Sequence, residues 1–108
     1  MNKLLTSVAI VVTLFAGAMI ACADDNNSIA LGLGNILGSQ EACRLTIDQN
    51  AIQQFIKEHV DPSDMRFPDN LRGATQADKN EVQAMSPTEL ANHCLATGRI
   101  AKHYGFTQ

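Results

Sequence analysis

The chain has 108 residues, a formal net charge of −3 at pH 7, 45% hydrophobic residues, three cysteines and no tryptophan. A chain of this length forms one small domain with limited core stability, so a covalent cross-link is expected. Mild acidity argues against nucleic-acid binding, which needs clustered lysine and arginine, and the few aromatic residues argue against a carbohydrate-binding platform.

Residues 1–23 have the pattern of a secretory signal peptide. Positive Lys3 precedes an apolar run over residues 4–21, and small Ala21 and Ala23 are followed by acidic Asp24. This order of charge, apolar run, small residues and polar start is typical of export. We predict cleavage after Ala23 and an exported protein, located in the periplasm, with an outer-membrane lipoprotein or a secreted protein as alternatives.

Cys22 offers a second processing route. Residues 19–22, Met-Ile-Ala-Cys, resemble a lipobox, in which Cys22 becomes acylated, and only then is the protein attached to a membrane. Ile20 and Met19 suit a lipobox less well than the small residue and leucine expected there. A retained membrane helix is the third interpretation, but the run is near the lower length for spanning and no basic flank follows it.

The other two cysteines predict a disulfide. Cleavage discards Cys22 or lipid caps it, which leaves Cys43 and Cys94 in an oxidising compartment. A Cys43–Cys94 disulfide would contribute about 4 kcal/mol by the chain-entropy model. A redox-active or metal-binding thiol pair is disfavoured because the sequence has no C-x-x-C spacing.

Residues 24–40 are predicted to be a flexible, Gly-rich N-terminal arm. Gly32, Gly34 and Gly38 each disfavour a helix by about 1 kcal/mol relative to alanine. They do not form a dinucleotide-binding loop, because Gly38 comes one position late for G-x-G-x-x-G and no strand precedes it. We expect the apolar residues of the arm to dock on the domain or on a partner: Ile29, Leu31, Leu33, Ile36 and Leu37.

Residues 41–106 predict an all-α, three-helix domain. The first helix is expected from about Ile47 to Val60, because apolar residues recur at helical spacing. Thr46 and Gln49 predict a capping box at its start, and Pro62 ends it.

A connector over residues 62–74 and two further helices complete the predicted domain. Thr75 and Asp78 are expected to open a helix that ends near residue 85. The last helix begins with a capping box, Ser86-Pro87-Thr88-Glu89, and ends at Gly105.

The candidate metal ligands do not have the spacing found in known metal sites. The three histidines lack the H-x-x-x-H spacing that brings ligands together on a helix. Three aspartates are weak candidates for ligands of a hard cation: Asp61, Asp64 and Asp69. Their spacing does not follow the calcium-loop pattern, and the preference of aspartate for turns explains their positions. No cofactor is predicted.

Catalysis is not predicted either. His93 and Cys94 are neighbours in sequence, but consecutive helical residues point about 100° apart. The sequence contains no G-x-S-x-G motif, and a helical domain of this size has little room for a deep cleft. The chain is therefore expected not to be an enzyme.

The leading prediction is a small exported protein that binds another macromolecule, with a protein partner in the cell envelope. The predicted binding surface is the connector, through Met65, Phe67 and Leu71, together with the arm. A metal or small-ligand carrier is an alternative.

A second alternative follows from a resemblance in layout. Ser86-Pro87 leads into a helix that carries Cys94, and Cys43 lies far upstream. This arrangement resembles small exported acid-stress chaperones of the HdeA type, which have one long-range disulfide. The resemblance implies a helical periplasmic chaperone whose carboxylates loosen the fold on protonation.

Overall fold

A computed structural model describes residues 25–108; the predicted signal peptide, Ala23 and Cys22 lie outside this range. The described chain is all-α, as predicted, but it has four helices rather than three. They are α1 (Asp25–Gly38), α2 (Gln49–His59), α3 (Phe67–Gln83) and α4 (Pro87–His103). Within this part of the chain no helix is long and apolar enough to cross a membrane.

Helix α1 corrects the expectation of a flexible arm. It lies along α3 and buries Ala30, Leu33 and Ile36 in the core. A Cβ atom placed on Gly34 would lie 2.5 Å from the Cβ of Ala74, so the absence of a side chain lets the two backbones approach. The local cost of glycine in a helix is therefore offset by tertiary contact with α3.

Helix α2 matches the predicted element, but its cap is different. Asp48, and not Thr46, is the N-cap residue; its carboxylate accepts hydrogen bonds from the backbone N–H groups of Asn50 and Ala51 at 3.0 and 3.2 Å. Aspartate is among the best N-cap residues because it also complements the positive end of the helix. The helix ends at His59, as Val60 turns to an extended conformation.

Helix α3 begins earlier than predicted. Phe67 is its first residue and Pro68 lies in the first turn, where proline needs no N–H partner. The connector is therefore limited to residues 60–66, and Gly73 lies inside the helix instead of ending the connector. Asp78, expected near the start of this helix, lies well inside it and is buried.

Helix α4 confirms the predicted capping box and its C-terminal stop. Ser86 Oγ accepts from the N–H of Glu89, and Glu89 Oε1 accepts from the N–H of Ser86, both at 3.2 Å. Gly105 adopts a φ of 78°, and the next N–H, from Phe106, donates to the carbonyl of Ala101 at 2.9 Å. This Schellman-type turn returns the chain to the core, where the ring of Phe106 is fully buried.

The predicted disulfide is confirmed. Cys43, in the loop after α1, is bonded to Cys94 in the middle of α4. The loop is tight: the N–H of Cys43 donates to Ser39 O at 2.9 Å, and Arg44 has a positive φ of 55°. The disulfide therefore joins the C-terminal end of α1 to α4.

Candidate functional site

The connector between α2 and α3 presents Met65 to solvent on an ordered loop. Met65 is 83% exposed, the largest exposure among the large apolar residues that the structure describes. Asp61 accepts hydrogen bonds from the backbone N–H and the hydroxyl of Ser63 at 2.9 and 2.8 Å. Asp64 in turn accepts from the N–H of Arg66 at 3.0 Å. These local bonds fix the backbone on both sides of Met65.

The same bonds affect the ionisation of Asp61. The backbone N–H of Ser63, followed by its hydroxyl, stabilises the carboxylate and lowers the pKa of Asp61. This contribution to loop order is complete above the ordinary carboxyl pKa and is lost as the pH falls through the lowered value.

The connector is also attached to α1. Asn26 Nδ2 donates to Asp64 Oδ2 of the connector at 2.9 Å, and next to it Asn70 Nδ2, near the start of α3, donates to Asn27 Oδ1 at 3.3 Å. These contacts bring the connector next to Leu31, which is 62% exposed and lines a shallow depression over the α1–α3 seam. The lining of this depression includes Asp64 and Arg66, the two neighbours of Met65, but not Met65 itself. We call this depression, together with Leu31 and the adjoining Met65, the seam face.

Only part of the predicted binding surface is accessible. Phe67 is 4% exposed and belongs to the core, and Leu71 is half-buried against it. The apolar residues of the predicted arm divide similarly. Leu31 is exposed, whereas the others are buried in the core or packed against it: Ile29, Leu33, Ile36 and Leu37. The helical structure of α1 explains this division, because one face of the helix must cover the core.

A second concave surface lies between α1, α2 and α4. This groove has a volume of about 280 Å³, and every residue that lines it is uncharged: Ser28, Ile29, Gly32, Leu33, Ile36, Phe55, Ile100, Tyr104 and Phe106. Ile100 and Tyr104 are about half exposed along it. We call this surface the aromatic groove.

Aromatic rings form one wall of the groove. Phe55 meets Tyr104 and Phe106 edge to face, with ring centroids 5.6 and 5.4 Å apart. Towards the outside, Ile29, Phe55 and Tyr104 also line a more open region that contains Glu58, His59 and His103. The groove therefore runs from an apolar inner end to a polar outer end.

A buried polar cluster joins α1, α3 and α4. Ser39 is 0% exposed, and its hydroxyl donates to Asp78 Oδ2 at 2.6 Å. His93 Nε2 lies 2.7 Å from the same Ser39 oxygen. Because the hydroxyl proton points to the carboxylate, Nε2–H of His93 must be the donor in the second bond. Thr97 Oγ1 lies 3.4 Å from the same nitrogen.

This cluster contains the residue types of a catalytic triad in a different order. In a triad the histidine lies between the serine and the acid and takes the hydroxyl proton. Here Ser39 lies between Asp78 and His93, and it has no access to solvent. The hydrogen bonds of this cluster instead connect three helices. The helices also pack closely here, because a Cβ atom placed on Gly38 would lie 2.7 Å from the Cβ of Asp78.

The three aspartates considered as cation ligands make separate local contacts. Asp61 accepts from its own loop, Asp64 accepts from its own loop and from Asn26 of α1, and Asp69 pairs with Arg72 at 3.4 Å on the surface of α3. Across residues 25–108, no group of three or more His, Cys, Asp or Glu side chains is placed to hold a metal ion.

Sequence reasoning missed the cluster and the groove. Ser39 reads as a loop residue, and His93 reads as a solvent-facing histidine, so neither signals burial by itself. One signal was present: Ala30, Gly34 and Gly38 are spaced four apart, which places three small residues on one helical face. That spacing predicts a closely approaching helix.

No family model matches the chain, and no curated protein or solved structure matches it. The resemblance to HdeA-type proteins thus stays a prediction that rests on the cysteines and the helix cap alone.

Proposed function

We propose that this protein acts in the cell envelope by binding another protein through the seam face, and not by catalysis. The observation that carries the proposal is Met65, which is 83% exposed on a loop held by its own hydrogen bonds. Export rests on the predicted signal peptide, and the Cys43–Cys94 disulfide is compatible with it.

An ordered loop makes exposed methionine effective in binding. Burying a methionine side chain contributes about 1.5–3 kcal/mol, and binding is weaker when a loop must first be ordered. Hydrogen bonds between Asp61, Ser63, Asp64 and Arg66 order this loop in advance. Methionine also adapts to irregular partner surfaces. Leu31 and Met65 are thus the two exposed large apolar side chains that the seam face offers to a partner.

The test is capture of a partner from an envelope extract by the exported, disulfide-bonded protein. Met65→Asp places a charge in the proposed interface, and its exposure predicts an unchanged fold. Leu95→Asp is the matched control, because Leu95 is 58% exposed on α4 and outside the seam face.

We expect wild type and Leu95→Asp to capture the same discrete protein and Met65→Asp to lose it. Repeated capture of no protein by wild type, or undiminished capture by Met65→Asp, contradicts the proposal.

A further inference from the structure

Gly32 is a glycine that the fold does not require. A Cβ atom placed on it would meet nothing within 4 Å, and it has no positive φ. Glycine inside a helix still costs about 1 kcal/mol relative to alanine. At Gly34 this cost is offset by contact with α3. At Gly32 the missing side chain instead leaves space in the aromatic groove.

The lining of the groove defines the chemistry of a ligand. Its residues are uncharged, and its inner end is formed by the buried side chains of Leu33, Ile36 and Phe106. A charged group in such surroundings loses hydration without gaining a partner. The ligand must therefore present an apolar body to the inner end.

The volume of the groove limits the size of the ligand's apolar part. The groove volume is about 280 Å³, whereas a cavity of about 150 Å³ lined by similar residues accommodates benzene. The aromatic groove thus matches an alkyl chain of about ten carbon atoms.

The outer end of the groove has a different character. Glu58, His59 and His103 surround the opening beyond Ile29, Phe55 and Tyr104. The ring of His59 lies 4.4 Å from that of Phe55, and His103 lies 5.2 Å from Tyr104. Imidazole N–H groups can donate hydrogen bonds to an oxygen-containing head group, and at His59 this donor lies 4.0 Å from the Glu58 carboxylate.

We propose that the aromatic groove binds a single-chain amphiphile, with the alkyl chain against Gly32 and the polar head group near His59 and His103. This site is separate from the seam face. Its occupancy does not depend on whether the seam face binds a protein.

The chain offers a direct optical probe of this site. Tyr104 is the only tyrosine, and there is no tryptophan, so intrinsic fluorescence reports on the groove. The full disulfide-bonded protein is titrated with sodium hexanoate, octanoate and decanoate below their micelle concentrations. We expect a saturable fluorescence change, with affinity rising by up to about fourfold for each added methylene group.

Gly32→Leu tests the position of the alkyl chain. It fills the groove while raising helix propensity, so we expect a higher melting temperature and at least tenfold weaker octanoate binding. Gly73→Leu is the matched control for octanoate binding, because Gly73 also meets nothing within 4 Å and lies in α3, where it lines the depression of the seam face and not the aromatic groove. It should bind octanoate as wild type does.

Histidine NMR tests the position of the head group. Saturating octanoate should shift the imidazole resonances of His59 and His103 but not those of half-buried His93, which lies outside the groove. The proposal is overturned if wild type shows no saturable change, if Gly32→Leu binds as tightly as wild type, or if His59 and His103 do not respond.

Discussion

Helix α1 has two sides that use glycine in opposite ways. On the α3 side, Gly34 and Gly38 bring two backbones so close that a Cβ atom at either position would clash with α3. On the α4 side, Gly32 meets no neighbour and borders an open groove. Identical residues in one helix therefore allow close packing at one position and leave accessible space at another.

The disulfide compensates for sparse packing on the open side. Helix α1 has extensive contact with α3 and little with α4, whereas Cys43 and Cys94 connect the end of α1 to α4 covalently. A cross-link is most valuable where side chains alone hold two elements weakly.

The largest expected effect is loss of this cross-link. Replacing Cys43 and Cys94 together by alanine should lower the free energy of unfolding by about 4 kcal/mol, since the bond spans 51 residues. Urea denaturation of the double variant and wild type measures the difference. A loss below about 1 kcal/mol would mean that side-chain packing already holds α1 to α4.

Glycine substitution tests the two sides of α1 directly. Gly38→Ala should destabilise the protein by about 3 kcal/mol, because the new methyl group would meet the carbonyl of Thr75 and the side chain of Asp78. Gly32→Ala should stabilise it by about 0.5–1 kcal/mol through helix propensity. Thermal and urea unfolding measure both changes, and equal effects at the two positions would remove the distinction between the sides.

Disruption of the buried polar cluster should cause the next largest loss of stability. Asp78→Ala leaves the hydroxyl of Ser39 without its acceptor, which should cost about 2 kcal/mol. Asp69→Ala, on the exposed surface of the same helix, is the control and should change stability by less than about 0.5 kcal/mol. Similar urea midpoints for the two variants would show that the cluster does not brace the helices.

The smallest expected effect is a change in the pKa of Asp61, in the loop at the seam face. Ser63→Ala removes the hydroxyl donor to Asp61 but keeps the backbone donor. The pKa of Asp61 should therefore rise part of the way to its ordinary value. NMR titration of the carboxyl carbon measures the shift, with Ser28→Ala as a control. An unchanged titration in Ser63→Ala would argue against the hydroxyl contact.

Elements governed by local chemistry were predictable from the sequence. The Ser86–Glu89 capping box and the stop at Gly105 depend on neighbouring residues alone, and the structure contains both. The disulfide followed from the cysteine count once export was predicted.

Elements that depend on tertiary contact were not predictable in the same way. The glycines of α1 disfavour a helix locally, and only contact with α3 offsets that cost. Pro68 is common to turns and to first helical turns, so the early start of α3 was missed. The aromatic groove needs Phe55, Ile100 and Tyr104 from two helices beside α1, an arrangement that no local pattern specifies.

Native-state hydrogen exchange of α1 is the most direct test of this account, which rests on residues 25–38 forming a core helix. The backbone amides of Leu33, Gly34 and Ile36 should exchange as slowly as those in the middle of α4, because both helices open only with the domain. If the amides of α1 exchange at the rate of an unfolded chain while those of α4 stay protected, residues 25–38 form a flexible arm and not a core helix, which contradicts the structure described above.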